Sequence, residues 1–230
     1  MERAYQFFPL GDSAILIQFG NGINDAVNDK VIALFHRLKS FSPLIRDVIP
    51  AYSSLAVYYH LPALHTSPKT AYGRMQEILV PLLHSESWDE RDDGKQVRIP
   101  VCYAGKFAPD IEELAADKNL SVEEIIHLHT AKEYRVYMIG FLPGFPYMGK
   151  VDNRIAASRK SSPRRVIPAG SVGIAGEQTG IYPLSSPGGW NIIGRTPLPL
   201  FNAENSDPVL LEPGDRVSFY SITEDEFENY

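Results

Sequence analysis

The chain has 230 residues, enough for two domains, and 44% apolar, 11% aromatic and 22% charged residues, which is the composition of a globular protein. This composition excludes a disordered or collagen-like chain, and a net charge of −6 argues against a nucleic-acid-binding protein. There is no membrane-length apolar run, no signal-peptide pattern and one cysteine, Cys102, so we expect a cytoplasmic protein with no membrane segment and no metal centre.

The N-terminal part alternates short apolar runs with amphipathic segments. Residues 24–39 have apolar side chains at helical spacing, and Asn24 is a suitable N-cap. The same periodicities predict a second helix and four strands, at residues 70–83 and at 5–10, 14–19, 44–50 and 55–59. This order of elements predicts an α+β domain, which we place at residues 1–87.

A charged segment separates this domain from the rest of the chain, and we interpret residues 88–95 as a linker. The second domain, residues 96–230, begins with elements predicted at 97–103 (strand), 110–117 (helix), 121–130 (helix) and 134–141 (strand). Ser121 and Glu124 have the spacing of a capping box at the start of the second helix.

Residues 140–199 contain 10 of the 17 glycines and 8 of the 18 prolines, with β-branched and aromatic residues between them. This pattern predicts short strands joined by tight turns, in a compact β-barrel or sandwich. For Gly170 and Gly173 we expect a positive φ or a close approach of other atoms. A late hairpin is predicted in residues 210–220, and the acidic tail, residues 223–230, is assigned no role.

Two further patterns suggest phosphate or anion binding. The segment from Gly144 to Lys150 resembles a phosphate-binding loop, but Val151 replaces the Ser or Thr that would hold magnesium, and Pro146 lacks an N–H; a turn is favoured. Five cations within twelve residues form either a solvated loop or an anion site: Arg154, Arg159, Lys160, Arg164 and Arg165. Arg165, beside an apolar strand, is the strongest single candidate.

Long motifs in the second half carry a family resemblance. They are Gly140–Met148, Pro168–Gly176, Gln178–Pro183 and Ser186–Pro197, and Pro9–Ala14 near the start is also typical. The chain closely resembles, over essentially its whole length, the allophanate hydrolase subunit 1 family, which includes KipI and the PxpB component of bacterial 5-oxoprolinase.

The resemblance implies a fold, partners and an activity. The expected fold is an α+β N-terminal domain followed by a cyclophilin-like β-barrel C-terminal domain. The expected activity is that of a subunit of ATP-dependent 5-oxoprolinase, which opens 5-oxo-L-proline to L-glutamate together with KipA/PxpC-type and LamB/YcsF-type subunits. ATP is expected at a site shared with these partners, and the chain alone is expected to be inactive. The alternative implied by the family is inhibition of a sporulation sensor histidine kinase.

Given this resemblance, we expect one pocket on the barrel to be lined by residues from the glycine- and proline-rich motifs. Arg165 would take an anionic group and His129 would carry a proton. Substrate-binding roles are expected for Gln178, Thr179, Tyr182 and Trp190. For the kinase alternative, the aromatic and proline turn Phe141–Met148 and exposed rings of Tyr182 and Trp190 would form an apolar groove. The competing interpretation is that all of these side chains only pack the barrel.

Overall fold

The computed structural model describes residues 5–39, 41–65, 68–84 and 94–230. The chain forms two compact units, residues 1–93 and 94–230. Most of the predicted linker lies outside the described residues, so the predicted domain boundaries stay predictions. Within the described segments, no helix has both the length and the apolar character needed to cross a membrane.

The N-terminal unit is a four-stranded antiparallel sheet with helices packed against it. Its elements are β1 (Gln6–Pro9), β2 (Ala14–Gln18), α1 (Asp25–Lys39), β3 (Ile45–Pro50), β4 (Ser54–Tyr59), α2 (Leu61–Leu64) and α3 (Ala71–Leu83). The sheet order is β1-β2-β4-β3. Ile15 and Ile17 on β2 and Leu55 and Val57 on β4 are fully buried in one apolar core. Asn24 caps α1 as predicted, because its Oδ1 accepts the Val27 N–H at 3.0 Å.

The C-terminal unit contains nine strands, three α-helices and one 3₁₀ turn. In chain order these are β5 (Gln96–Cys102), the 3₁₀ turn (Gly105–Phe107), α4 (Ile111–Lys118), α5 (Val122–Thr130), β6 (Glu133–Ile139), β7 (Pro146–Gly149), β8 (Arg164–Ile167), β9 (Ser171–Ala175), β10 (Gln178–Ile181), β11 (Ser186–Gly188), β12 (Asn191–Arg195), β13 (Arg216–Ile222) and α6 (Glu224–Glu228).

Seven of these strands close into a barrel in the order β10-β7-β6-β13-β5-β12-β9, and β8 and β11 pair as a separate two-stranded sheet. All neighbouring barrel strands are antiparallel except β13 and β5, which run parallel from the Arg216–Gln96 pair to the Ile222–Cys102 pair. The predicted barrel is therefore confirmed as a closed seven-stranded barrel. Its likeness to cyclophilin stays a prediction.

The helix signals of this unit are confirmed, whereas the late hairpin is wrong. Ser121 and Glu124 form the predicted capping box of α5. In place of a hairpin across residues 210–220 there is one strand, β13, paired with β5 and β6. Within the turn before β13, the buried Asp215 carboxylate accepts the Glu212 N–H at 2.8 Å. The same carboxylate accepts the N–H of the distant residue Lys95 at 2.9 Å. The chain before the turn is thus not paired with the strand after it.

The acidic tail, to which the sequence analysis assigned no role, forms a short helix. Thr223 and Glu226 form a capping box that begins α6. The Phe227 ring lies 4.2 Å from the ring of Phe107, centre to centre, and Lys106 pairs with Glu228 at 2.7 Å. The tail therefore packs on the 3₁₀ turn at the end of β5.

Gly170 shows why the turns between the barrel strands need glycine. Its φ is +83°, and an added Cβ would collide with the Thr196 carbonyl oxygen. Its N–H donates to the Tyr182 carbonyl at 2.7 Å, and its own carbonyl accepts the Thr196 N–H at 2.9 Å. The backbone therefore has no freedom to move away from a side chain placed there.

We expect Gly170→Ala to lower the free energy of unfolding by about 2–5 kcal/mol, the sum of the left-handed backbone penalty and the overpacking cost. Gly176→Ala measures the left-handed backbone penalty alone, because Gly176 has φ +61° with open space around it. Gly140→Ala, with open space and no positive φ, is the matched control. Urea denaturation of the three variants checks this ranking, and equal stability of Gly170→Ala and Gly140→Ala would contradict it.

Candidate functional site

A pocket of about 240 Å³ opens on the C-terminal unit. Its walls come from the segment before β7, the loop before β8 and the chain around β11. The lining residues are Phe141, Phe145, Tyr147, Arg159, Pro163, Tyr182, Pro187, Gly188, Gly189 and Trp190. The pocket is thus mainly aromatic, with one permanently charged side chain.

Phe145 is the centre of the aromatic wall. Its ring centre lies 5.2 Å from Tyr182, 5.4 Å from Trp190 and 5.7 Å from Phe141, with interplanar angles of 84–89°. Tyr147 completes the group at 4.8 Å from Phe145. Edge-to-face packing of this kind is the favoured geometry of aromatic pairs, so the wall is fixed before any ligand arrives.

Glycines allow these rings to approach the backbone. A Cβ on Gly180 would lie 3.0 Å from both the Phe145 and Trp190 rings, and one on Gly188 would collide with the Tyr182 hydroxyl. A Cβ added at Gly173 would lie 3.1 Å from the Trp190 Cβ, which confirms the close approach predicted for Gly173. The glycine-rich motifs therefore make room for the aromatic wall.

The five cations of the predicted anion site differ in whether an acidic side chain pairs with them. Arg154 pairs with Asp152 at 2.9 Å, and Lys160 pairs with Glu113 at 2.5 Å. Arg164 makes a bidentate pair with Asp110, at 2.5 and 2.8 Å. The charge of each of these three is balanced by an acid, which leaves Arg159 and Arg165.

Asp110, at the start of α4, is 1% exposed and organises this region. Besides Arg164, it accepts the Ile192 N–H at 2.6 Å and lies 3.2 Å from the Lys160 ammonium. Burial raises the pKa of its carboxyl, but the hydrogen bonds from Arg164, Ile192 and Lys160 together hold the pKa below its ordinary value. A charged, fully satisfied carboxylate therefore joins α4, the cationic loop and β12.

Arg159 is the cation at the pocket. Its neighbours are fixed: Ser158 O accepts from Asn191 at 2.8 Å, and Lys160 N–H donates to Gly189 O at 2.7 Å. The side chain is exposed and has no ion-pair or hydrogen-bond partner in the part of the chain that the structure describes. Burial raises the pKa of Tyr147 and Tyr182, and the positive charge of Arg159 opposes this rise at both hydroxyls.

His129 lies in a buried chain of hydrogen bonds instead of at the pocket. Its Nε2 is 2.9 Å from Thr179 Oγ1, and Thr179 donates its own proton to the Gly173 carbonyl at 3.1 Å. Nε2 must therefore carry the imidazole proton, and Nδ1 accepts the hydrogen bond from the Tyr103 hydroxyl at 2.8 Å. Burial lowers the pKa of His129 to about 3, so the ring is neutral at physiological pH.

The structure brings the predicted site residues together in pairs. Tyr182 and Trp190 line the pocket, and His129 and Thr179 bond to each other inside the barrel. Arg165 is exposed on β8 and Gln178 is half-buried at the start of β10; neither lines the pocket. The single pocket expected from the sequence is thus not formed by these six residues, and the catalytic roles given to His129 and Arg165 stay predictions.

The exposure expected for Tyr182 and Trp190 in the kinase-binding groove is wrong. Tyr182 is 1% and Trp190 4% exposed, because both rings pack around Phe145. Phe141 is the exposed ring of the pocket, at 63%.

Arg159 was not singled out in the sequence as the cation of the pocket. The sequence placed it among the five cations of residues 154–165, but its lack of an acidic partner is visible only in the fold.

A metal site is not evident in the described residues: they contain no group of three or more His, Cys, Asp or Glu side chains that could hold a metal ion. Cys102 is a free, buried thiol, and burial raises its pKa. The groups that the pocket offers a ligand are aromatic rings, one guanidinium and the tyrosine hydroxyls.

Comparisons with known proteins place this geometry in a family. Residues 5–211 match the family model described as carboxyltransferase domain, subdomain C and D. The B-type subunit of 5-oxoprolinase from Bacillus subtilis (strain 168) is 48% identical over the whole chain and 98% of its own length. The crystal structure of TTHA0988 superposes on 91% of this chain with a TM-score of 0.79 and 36% identity; the match spans 40% of that longer chain.

A more distant structure shares the fold. The urea carboxylase of Kluyveromyces lactis is similar over 98% of this chain and 22% of its own, with a TM-score of 0.74 and 18% identity. At that identity the likeness concerns the fold alone.

The buried neutral His129 predicts a pH dependence of stability. Its pKa falls from 6.5 when unfolded to about 3 when folded, so between these values the unfolded chain binds a proton that the folded chain does not. The contribution is fully present above about pH 6.5 and is lost as the pH falls, with a slope of up to about 1.4 kcal/mol per pH unit. We expect His129→Gln to flatten the slope of unfolding free energy against pH between 6.5 and 4.

His127→Gln is the matched control, because His127 is exposed on the same helix two residues away. It should leave the slope as in the parent chain. Should His129→Gln not fold, NMR of the parent chain decides: the His129 ring protons should show no titration above pH 4. A His129 titration near pH 6.5 would contradict the buried neutral assignment.

Proposed function

The chain belongs to the family of B-type 5-oxoprolinase subunits, which carry the carboxyltransferase domain of subdomains C and D, and we propose that it is a subunit of an ATP-dependent 5-oxoprolinase. In this role it contributes to the opening of 5-oxo-L-proline to L-glutamate. The observation that carries the proposal is the full-length 48% identity to the Bacillus subtilis subunit. The activity takes place in the cytoplasm, as expected from the sequence.

The chemistry of the pocket supports a subunit that does not act alone. Its ionisable side chains are Arg159, Tyr147 and Tyr182, and the pKa of both tyrosines is raised by burial. A guanidinium and protonated phenols can bind and donate hydrogen bonds, but they do not serve as a general base near neutral pH. The proposal therefore assigns the activation of water and of the lactam to partner subunits, of the KipA/PxpC and LamB/YcsF types.

The size of the pocket limits which substrate it takes. Pockets for drug-sized ligands have volumes of about 300–1,000 Å³, and this one is smaller, at about 240 Å³. A volume of this size favours a molecule smaller than a nucleoside triphosphate. The proposal therefore assigns ATP to a site completed by the partner subunits and gives this pocket to a smaller molecule.

The kinase-inhibitor alternative is not adopted. The groove expected for it combined the turn Phe141–Met148 with exposed Tyr182 and Trp190 rings, and both of these rings are buried around Phe145.

We expect the purified chain alone to give no glutamate from 5-oxo-L-proline and ATP, because the pocket lacks a base. Mixing it with the two partner subunits should give glutamate release that depends on ATP and on all three proteins. Glutamate dehydrogenase coupling measures the product, and each two-protein mixture is a control. Turnover by the chain alone, or an inert three-protein mixture, would contradict the proposal.

The predicted role of Arg165 is tested in the same assay. If Arg165 holds an anionic group in the assembled enzyme, Arg165→Lys should lower turnover by about 10–100-fold, since lysine keeps the charge but loses the planar fork. Complex formation on gel filtration should be unchanged. Full turnover of the variant would remove Arg165 from the site.

A further inference from the structure

We propose that the aromatic pocket binds a small ring-bearing carboxylate, with the ring against the aromatic wall and the carboxylate on the Arg159 guanidinium. This inference rests on the proposed function in that 5-oxo-L-proline is the natural probe. It adds the binding pocket and the residue that recognises the charge. Sequence analysis gave that charge to Arg165 instead.

The state of Arg159 indicates an anionic ligand. Three neighbouring cations of the same loop are paired with acids, at Asp152, Glu113 and Asp110. Arg159 has no such partner among the described residues, although its loop is held on both sides by backbone hydrogen bonds. An arginine on a fixed backbone, without an internal acid, is suited to a bidentate contact with an external carboxylate.

The aromatic wall of the same pocket favours a ring. Phe141, 63% exposed, and the half-buried Tyr147 present their rings, and both contact Phe145. Phe145 in turn packs edge-to-face with the buried Tyr182 and Trp190 rings, which support the wall from within one small apolar core. Gly180 and Gly188 have no Cβ, which lets the Phe145, Trp190 and Tyr182 rings pack closely on the backbone. A rigid aromatic surface of this size accepts a compact ring at little entropic cost, whereas a flexible chain would lose rotational freedom.

Tyr147 provides a second polar contact. Its ring contacts Phe145 at 4.8 Å, and its side chain is half-buried. The hydroxyl has no hydrogen-bond partner within the described ranges, and burial keeps it protonated by raising its pKa. It can donate to a carbonyl on the ligand ring, so a ring carbonyl as well as a carboxylate would be recognised.

The test is ligand binding to the isolated full chain, observed by fluorine NMR of 5-fluorotryptophan-labelled protein. The chain has two tryptophans, Trp88 and Trp190, and Trp88→Phe assigns the two resonances. We expect 5-oxo-L-proline to shift the Trp190 resonance saturably. Its primary amide lacks the negative charge and glutamate lacks the ring, so each should bind about tenfold more weakly or worse.

Two substitutions identify the cation. Arg159→Gln should weaken 5-oxo-L-proline binding by about 10–100-fold, and Arg159→Lys should restore part of it. Arg154→Gln is the matched control, because it removes the same charge from the same loop at an exposed residue that does not line the pocket. It should leave the affinity within about twofold, since a screened charge outside the pocket contributes little.

Several outcomes would overturn the proposal. The first is that the Trp190 resonance does not shift at about 50 mM 5-oxo-L-proline, roughly the weakest binding that the ring and guanidinium contacts would give. The second is that the primary amide binds as tightly as 5-oxo-L-proline. The third is that Arg159→Gln and Arg154→Gln weaken binding equally. Saturable binding of an uncharged proline-containing peptide in preference to 5-oxo-L-proline would assign the pocket to a protein partner instead.

Ligand binding at the pocket and turnover of the three-subunit mixture can fail independently of each other. A three-subunit mixture that turns over normally with Arg159→Gln would leave the function standing and remove this pocket from substrate binding. Ligand binding that depends on Arg159, in a chain whose three-subunit mixture is inert, would support the pocket and remove the enzymatic role.

Discussion

A buried carboxylate, Asp110, holds together the parts of the barrel unit on which the pocket depends. It joins the start of α4 to Arg164 on β8, to Lys160 in the cationic loop and to the Ile192 N–H on β12. Its charge is offset by two cations and a backbone donor, so the desolvation cost of burial is met by directed hydrogen bonds. Lys160 and Arg164 are thus both committed to this carboxylate, and Arg159, the residue before Lys160, lines the pocket.

The aromatic wall depends on a second constraint, the absence of side chains at selected glycines. Gly173, Gly180 and Gly188 have no positive φ, but Gly173 lies against the Trp190 Cβ, Gly180 against the Phe145 and Trp190 rings, and Gly188 against the Tyr182 hydroxyl. Gly170 and Gly144 have positive φ and shape the turns that deliver these rings. The two kinds of glycine look alike in the sequence, but one kind is required by contact and the other by backbone conformation.

Local signals in the sequence predicted most elements, whereas pairings between distant residues were beyond reach. The caps at Asn24 and Ser121 depend on residues three positions apart and were read correctly. Arg164 meets Asp110 across 54 positions, so the sequence did not show which cations of the loop were already neutralised. For the same reason Arg165 was preferred to Arg159. His129 was expected to titrate, and only its burial beside Tyr103 and Thr179 shows that it is neutral.

The parallel pairing of β13 with β5 also constrains the order of assembly. β5 begins the barrel unit and β13 is its last strand, and seven residue pairs join them across about 120 positions. Before β13 is synthesised, the partner of β5 in the barrel is β12, through the single pair Arg195–Cys102. The barrel therefore stays open on the ribosome until the C-terminal strand has emerged, and its closure is a long-range, slow step in which exposed strand edges need protection from other chains.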